Sequence, residues 1–224
     1  QFTIYPLQFT IYPLQLTLTH PCPSKEGNLF TIYNLSFTTL NYDYQLFYLL
    51  NHQLTNPFFD WLMPLVRDQY FWSPLYLFAL VYLFINYPRR TAWIVLIGAL
   101  ITFALSDQLS ASVIKPLVGR LRPCRDPQIM AVVNSLVPCG SGKSFVSSHA
   151  ANHFAIATYF SLLVSNNRFT FFAMLWATLV GYAQIYVGLH FPADVLGGAL
   201  LGILIALVTV TFTQRYLALP TATF

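Results

Sequence analysis

Apolar residues form long runs along this chain, separated by short connections that carry most of the polar residues. Five long runs follow one another, at 69–87, 91–114, 149–165, 168–187 and 193–214. Each run has, or nearly has, the ~20 residues with which a helix crosses the hydrocarbon core of a bilayer. Lipid offers the backbone no hydrogen-bond partner, so we predict that every run forms a membrane-spanning helix.

Two shorter apolar stretches, 41–54 and 57–66, precede these runs and are too short to span a bilayer. Their many tyrosine, phenylalanine and tryptophan residues are typical of helices that lie in the membrane interface or pack over a bundle. Residues 1–40 contain a perfectly duplicated heptapeptide and a looser third copy. We interpret 1–40 as an appendage, 41–215 as the membrane domain and 216–224 as a C-terminal tail.

The composition agrees with an all-α, polytopic membrane helix bundle. Of the 224 residues, 56% are hydrophobic and 8% are charged, whereas ordinary globular chains carry about 25% charged residues. The formal net charge of +4 is too small to indicate a nucleic-acid partner. The cysteines, at 22, 124 and 139, lack the spacing of a zinc site. We predict no metal and no cofactor.

The basic residues are distributed unevenly between the connections. Short basic clusters lie in two connections, Pro88-Arg89-Arg90 and Asn166-Asn167-Arg168, and at the end of the last run, Gln214-Arg215. If the helices alternate in direction, these clusters share one side, which the positive-inside rule makes cytoplasmic. The connections 115–148 and 188–192 then lie together on the opposite side.

The 115–148 connection nevertheless holds five basic residues: Lys115, Arg120, Arg122, Arg125 and Lys143. Arginine and lysine side chains gathered at a membrane surface bind phosphate groups well, so the cluster predicts an anion site. The alternative is a reversed orientation, in which this connection is an ordinary cytoplasmic loop.

Three short segments carry candidate chemistry. Lys115 supplies a point charge and Arg122 a planar guanidinium, and together they match the oxygens of a phosphate. The alternative interpretation is that both are ordinary residues at the membrane boundary, whose side chains snorkel to the interface. Ser147 or Ser148 can cap the helix that begins there, and the free N–H groups of its first turn favour an anion. The histidine side chain ordinarily has a pKa near neutral pH, so His149 is a candidate to pass a proton to a leaving oxygen. The plainer interpretation of His149 is an interfacial histidine.

The third segment places Asp194 four residues after His190. This spacing lets Asp194 hydrogen-bond one nitrogen of the His190 ring and leaves the other nitrogen free to attack phosphorus. A single His-x-x-x-Asp pair is common. Three such segments, each at a helix end and all on one side of the membrane, are less expected by chance, so together they indicate an active site more specifically than the single pair does.

Together these segments resemble the three signature motifs of the type 2 phosphatidic acid phosphatase superfamily, membrane relatives of the vanadium haloperoxidases. Lys115, Arg122 and Pro123 match the first motif in full. Ser147 and His149 match the second, Pro-Ser-Gly-His, with Val146 and Ser148 at its Pro and Gly positions. His190 and Asp194 match the third, which here reads Ala183-Gln184 in place of Ser-Arg.

The resemblance implies a role for each residue. His190 is the expected nucleophile, Asp194 orients it, and His149 is the general acid. Lys115, Arg122, Ser147, Ser148 and Gln184 are the expected substrate-binding residues. The amide of Gln184 is neutral where the family has arginine, which predicts a weaker hold on the phosphoryl oxygens. Arg120, Arg125 or Lys143 is a candidate to supply the missing charge.

Three further features have two interpretations each. Asp107, inside a predicted span, is either functional or part of a hydrogen-bonded polar patch. Cys124 and Cys139 either pair or remain free thiols. Gly198 and Gly202 form a Gly-x-x-x-Gly, for which we favour close packing within the bundle over a dimer contact.

We therefore predict an enzyme of the inner membrane, with its active site on the noncytoplasmic face, that hydrolyses a lipid phosphate or diphosphate through a phosphohistidine. Undecaprenyl diphosphate, phosphatidate, phosphatidylglycerophosphate and lipid A phosphates are all candidate substrates. A lipid phosphotransferase and a catalytically weak lipid-phosphate-binding homologue are the alternatives. The sequence does not predict the oligomeric state.

Overall fold

A computed structural model describes residues 42–218, and this part of the chain is mainly helical. Helix α1 covers residues 42–48 and continues into a π-helical turn at Leu49–Gln53. The remaining helices are α2 (Pro57–Arg67), α3 (Ser73–Asn86), α4 (Arg89–Gln108), α5 (Lys115–Val118), α6 (Ser148–Val164), α7 (Asn167–Tyr186) and α8 (Pro192–Ala218). The predicted appendage lies outside the described residues, whereas α8 continues into the segment predicted as a tail.

Helices occupy all five predicted spans, although they differ in length. A π-helical turn at Leu109–Ile114 joins α4 to α5. The segment Arg89–Arg125, α7 and α8 are long and apolar enough to cross a membrane. Helix α3 has 14 residues and α6 has 17. At about 1.5 Å per residue both are shorter than a typical span. Among residues 42–218, three helical segments thus meet this criterion, and the predicted total of five stays a prediction.

Helix α6 lies at the centre of the bundle, where it contacts α4, α7 and α8. Its closest neighbour is α8, because two glycines of α8 face the α6 backbone. A Cβ atom on Gly198 would lie 2.4 Å from the carbonyl oxygen of Ser147, and one on Gly202 would lie 2.2 Å from that of Ala151. The Gly-x-x-x-Gly pair therefore serves packing within the bundle, as predicted.

Side-chain caps fix where several helices begin. Asn56 accepts a hydrogen bond from the Phe59 N–H at the start of α2, and Asn166 accepts from Arg168 and Phe169 at the start of α7. Such caps satisfy N–H groups that have no partner within the helix. At the end of the bundle where α4 begins, the Arg90 guanidinium donates to the Tyr216 carbonyl. The Arg90 and Arg215 clusters therefore share one end, as predicted.

The opposite end is covered by α1, α2 and the long 119–147 connection. Asn51, in the π-helical turn that follows α1, is fully buried and donates to the carbonyls of Asn134 and Tyr186 at 3.0 and 2.7 Å. This side chain joins α1, the connection and the end of α7. Cys124 and Cys139 form a disulfide within the connection, which resolves the two interpretations of these cysteines in favour of pairing. The 115–148 and 188–192 connections lie together, as predicted.

Candidate active site

A cavity of about 880 Å³ opens at this covered end of the bundle, between α3, α4, α6 and the end of α7. Six of the eight residues expected in the site line it: Lys115, Arg122, Ser148, His149, Gln184 and His190. The other two, Ser147 and Asp194, are completely buried behind its wall. The structure thus brings the three motifs to one place, with six residues facing the substrate space and two supporting them.

A tight turn after α7 positions His190. Gly188 has φ +85°, a left-handed conformation in which a Cβ would approach the Asn134 carbonyl to 3.0 Å. The turn directs the N–H groups of Leu189 and His190 back to the Gln184 carbonyl. It leaves the His190 side chain only 2% exposed, at the inner end of the cavity.

A serine hydroxyl lies between His190 and Asp194. The predicted direct hydrogen bond is not formed, because His190 Nδ1 and Asp194 Oδ2 are 3.7 Å apart. Ser144 Oγ instead donates to Asp194 Oδ2 at 2.5 Å and lies 3.3 Å from His190 Nδ1. Since the hydroxyl hydrogen points to Asp194, its oxygen is free to accept the Nδ1–H. This arrangement leaves the His190 Nε2 lone pair free.

Asp194 is itself held by a network of donors. Its Oδ2 also accepts from the Phe191 N–H at 2.9 Å, and its Oδ1 accepts from the Arg120 guanidinium at 2.8 Å. Arg120 bonds Asp43 of α1 as well and lies 3.9 Å above the Phe191 ring. These contacts compensate the cost of burying the charged carboxylate and fix its orientation. Arg120 therefore supports Asp194, and its charge does not face the cavity.

Burial sets the protonation state of His190. It lowers the pKa of the imidazole to about 4, because the charged form loses its hydration, while the neighbouring Asp194 opposes the shift and Arg122 adds to it. The ring is therefore neutral at physiological pH. A neutral imidazole with its Nδ1–H donated has the form that a nucleophile needs.

The second motif forms the start of α6. Ser147 caps this helix, since its Oγ accepts from the Ala150 N–H at 3.4 Å. Its N–H donates to the Asp194 carbonyl, so Ser147 ties α6 to α8. Ser148, at the family's glycine position, lines the cavity and accepts from Ser110. His149 lies next to it on the cavity wall, within electrostatic range of His190.

Further polar groups line the cavity beside the motif residues. Gln184 is fully buried, and both heavy atoms of its amide lack a hydrogen-bond partner in residues 42–218. Asp107 accepts from Asn152 at 3.0 Å, as expected for a polar patch within the bundle. Clusters of three or more histidine, cysteine or acidic side chains suited to a metal are absent from these residues.

Comparison with known proteins identifies the family. Residues 92–217 match the model of the PAP2 superfamily, which covers more than half of the chain. The chain belongs to the PAP2 superfamily. All three motifs lie within the matched region, so PAP2 membership agrees with the convergence of their residues on one cavity.

Relatives and solved structures support this assignment. The chain is 34% identical over 149 residues to the lipid A 4'-phosphatase of Bacteroides thetaiotaomicron, an alignment that spans 66% of each protein and so just under two thirds of that relative. The crystal structure of Aquifex aeolicus LpxE superposes with a TM-score of 0.56 at 28% identity, covering 75% of this chain and 93% of LpxE.

A second solved structure supports the fold alone. The PAP2-type phosphatidylglycerolphosphate phosphatase of Bacillus subtilis superposes with a TM-score of 0.60 at 22% identity, covering 83% of this chain and 92% of that one. It shares the helical membrane architecture of the chain described here.

Sequence reasoning missed two residues of this PAP2 site. Ser144 lies in the stretch that leads into the second motif, but nothing in the sequence shows that its hydroxyl reaches His190. Arg67, the last residue of α2, lines the cavity. A basic residue after an apolar stretch is usually a snorkelling side chain, so the sequence holds no signal that distinguishes it.

Proposed function

We propose that this PAP2 protein is an integral membrane phosphatase that hydrolyses a phosphate group on a lipid, with His190 as the nucleophile. The observation that carries the proposal is a neutral, oriented imidazole in the same cavity as two cations. Lys115 and Arg122 form no ion pair with a carboxylate of the described residues. Cations that face an enclosed space without a counter-ion favour an anionic ligand.

In the first step, His190 Nε2 attacks phosphorus and forms a nitrogen–phosphorus bond as the bond from phosphorus to the lipid oxygen breaks. Ser144 and Asp194 stabilise the positive ring that results. Lys115, Arg122 and the Gln184 amide bind the phosphoryl oxygens, where negative charge is concentrated in the transition state.

His149 completes the proton balance of the reaction. It gives its proton to the lipid oxygen that leaves, and then takes a proton from the water that attacks the phosphohistidine. The nitrogen–phosphorus bond breaks, inorganic phosphate departs and His190 is neutral again. When the substrate binds, its phosphate dianion places negative charge beside His149. This charge offsets the neighbouring cations and so favours the protonated form of His149.

A lipid is the proposed substrate because one wall of the cavity is apolar. Residues of α3, α4 and α6 form this wall: Leu80, Leu83, Leu96, Leu100, Phe103 and Ile156. Helix α3 has no buried residue, so this side of the cavity lies close to the lipid-facing surface. An acyl chain can stay in hydrocarbon along this wall while its phosphate reaches His190.

Lipid A phosphates are the first substrates to test. The relative from B. thetaiotaomicron is a lipid A 4'-phosphatase, and it is 34% identical to this chain over 149 residues. Undecaprenyl diphosphate, phosphatidate and phosphatidylglycerophosphate belong in the same panel, since the residues that bind the phosphate do not select the head group.

The active site faces the noncytoplasmic side of the inner membrane in this proposal. The disulfide between Cys124 and Cys139 supports it, because such bonds persist in oxidising compartments. The basic residues Arg89, Arg90, Arg168 and Arg215 lie at the other ends of the helices and suit the cytoplasmic side. An impermeant thiol reagent, applied to intact cells after reduction, tests this by labelling Cys124 and Cys139.

Phosphate release from the lipid panel in detergent tests the function. We expect wild type to release inorganic phosphate, and His190→Ala to lose roughly 10³-fold or more of that rate. His52→Ala is the matched control, because His52 is exposed on the π-helical turn after α1 and does not line the cavity. If wild type and His190→Ala release phosphate equally on every lipid, the proposal fails. Transfer of phosphate to a second lipid would favour a phosphotransferase instead.

A further inference from the structure

The phosphate site contains a neutral group where a charge would bind phosphate better. The Gln184 amide is fully buried, lines the cavity and has no partner within residues 42–218. It can donate a hydrogen bond to a phosphoryl oxygen, but it cannot neutralise charge. A phosphate dianion in an enclosed site needs cations as well as donors.

The three basic residues that the sequence offered as candidates do not supply this charge. Both Nη atoms of Arg120 are already bonded, to Asp43 and Asp194. Arg125 is exposed and donates to the Ser141 carbonyl. Neither residue lines the cavity, and Lys143 does not line it either.

Arg67 lies in the right place, next to the end of α7. Met63 and Val66, in the last turns of α2, pack against Val180 and Ala183 of α7 and against Val187, which follows that helix. This packing sets the C-terminal end of α2 beside the segment that holds Gln184. Trp72 Nε1 donates to the Val66 carbonyl at 2.7 Å and so fixes the chain at this helix end. Arg67 is therefore carried on a firmly placed backbone.

The Arg67 side chain also lacks a partner. It forms no ion pair in the described part of the chain, and its buried Nε has no hydrogen-bond acceptor. It lines the cavity together with Lys115, Arg122 and His190, and it interacts electrostatically with Arg122 and His149. The carboxylate of Asp68, the next residue, attracts Arg67 without forming an ion pair with it. The gathered cations therefore have no paired anion, and this arrangement suits a ligand that brings negative charge.

We propose that Arg67 binds the phosphoryl oxygens of the substrate and thereby supplies, from α2, the positive charge that Gln184 lacks. This proposal rests on the proposed phosphatase function. The guanidinium offers planar, paired donors, so it is suited to hold two oxygens at once. Helix α2 then serves the reaction directly, in addition to covering the bundle.

Four variants test this role: Arg67→Gln, Arg67→Lys, Gln184→Arg and the double variant Arg67→Gln/Gln184→Arg. We expect Arg67→Gln to lower kcat/KM about tenfold to hundredfold, since a hydrogen bond to a charged group is lost. Arg67→Lys keeps the charge and should lose less. The double variant moves the guanidinium from α2 to α7 and should regain much of the activity.

Arg168→Gln is the matched control, because it makes the same change at the exposed start of α7. Inhibition by orthovanadate, a phosphate mimic, gives a second measurement that a purely structural role of Arg67 would not change. We expect the inhibition constant to rise in Arg67→Gln and to fall back in the double variant.

The outcomes separate this inference from the proposed function. If wild type hydrolyses a lipid phosphate and Arg67→Gln matches it in kcat/KM and in vanadate inhibition, the role of Arg67 is overturned while the phosphatase stands. If Arg67→Gln does not fold, Arg67→Lys and the double variant decide by the same two measurements. If wild type hydrolyses nothing, the phosphatase fails, and equal binding of inorganic phosphate by wild type and Arg67→Gln would overturn the role of Arg67.

Discussion

The hydroxyl of Ser144 should be needed for turnover, although it does not face the substrate space. Replacing Ser144 with alanine removes the group that lies between His190 Nδ1 and Asp194 Oδ2. These two atoms are 3.7 Å apart, too far for a direct hydrogen bond. The His190 ring then loses the contact that holds its Nδ1–H and fixes its tautomer.

The size of the effect follows from the bond that is lost. A hydrogen bond to a charged group contributes about 1.5–3 kcal/mol, and about 1.4 kcal/mol corresponds to a tenfold change in rate. Ser144→Ala should therefore lower kcat about tenfold to hundredfold. Asp194 keeps its bonds to Arg120 and Phe191, so the fold and KM should change little.

Initial rates of phosphate release, measured over a range of lipid concentrations, separate kcat from KM in this test. Ser112→Ala is the control, because the Ser112 hydroxyl bonds Gln108 on an exposed surface. Ser144→Thr keeps a hydroxyl and should retain more activity than Ser144→Ala. An unchanged kcat in Ser144→Ala would refute the reasoning, since Asp194 would then orient His190 without the bridge.

Three further predictions concern charge, covalent bonding and packing. Burial lowers the pKa of His190 to about 4, so its ring should stay neutral as the pH falls through the usual histidine value of about 6.5 and take up a proton only near 4. An NMR titration of protein with labelled histidines checks this, with His190→Asn used to identify the His190 signal. A titration midpoint near 6.5 for that signal would contradict the prediction. Replacing Cys124 and Cys139 with serine should lower the free energy of unfolding by about 3 kcal/mol. Denaturant titration measures this, with intact and reduced wild type as references. An unchanged free energy of unfolding would contradict a stabilising disulfide. Gly202→Leu should disrupt the contact of α8 with Ala151 and yield little folded protein in detergent. Leu204→Ala, at an exposed position of the same helix, should give a normal yield. A normal yield of both variants would contradict the packing described.

The helical architecture could be predicted because membrane insertion leaves few choices. Long apolar runs must form helices in lipid, and their polar interruptions mark the ends. The number of full spans stays a prediction, since α3, with 14 residues, is shorter than the apolar run that contains it and α6 has 17 residues. Helix α6 begins at the cap formed by Ser147, one residue before the predicted run.

The predicted site was only partly correct in its geometry. The spacing of His190 and Asp194 brought the pair together, but it did not reveal the bridging Ser144 or the position of Arg120 behind Asp194. Those contacts depend on how the long connection folds over the bundle, which no local spacing encodes. The cap predicted for Ser147 or Ser148 is formed by Ser147, whose expected binding of phosphate stays a prediction.

Arg67 shows most clearly what sequence alone could not provide. It belongs to a helix that looked like an interfacial cover, and it approaches the cavity only because α2 packs against α7. Such a contact joins residues that are far apart in the chain. The substitution at Gln184 was visible in the sequence, but the cation that lies near it was not.

The central claim is that the His190 ring attacks phosphorus, and trapping the intermediate tests it most directly. A lipid substrate with labelled phosphate is mixed with the protein and quenched in base, which preserves phosphohistidine, and the labelled peptide is sequenced by mass spectrometry. We predict label on His190 in wild type, and none in His190→Ala. Label on another residue, or rapid phosphate release by His190→Ala, would contradict the mechanism.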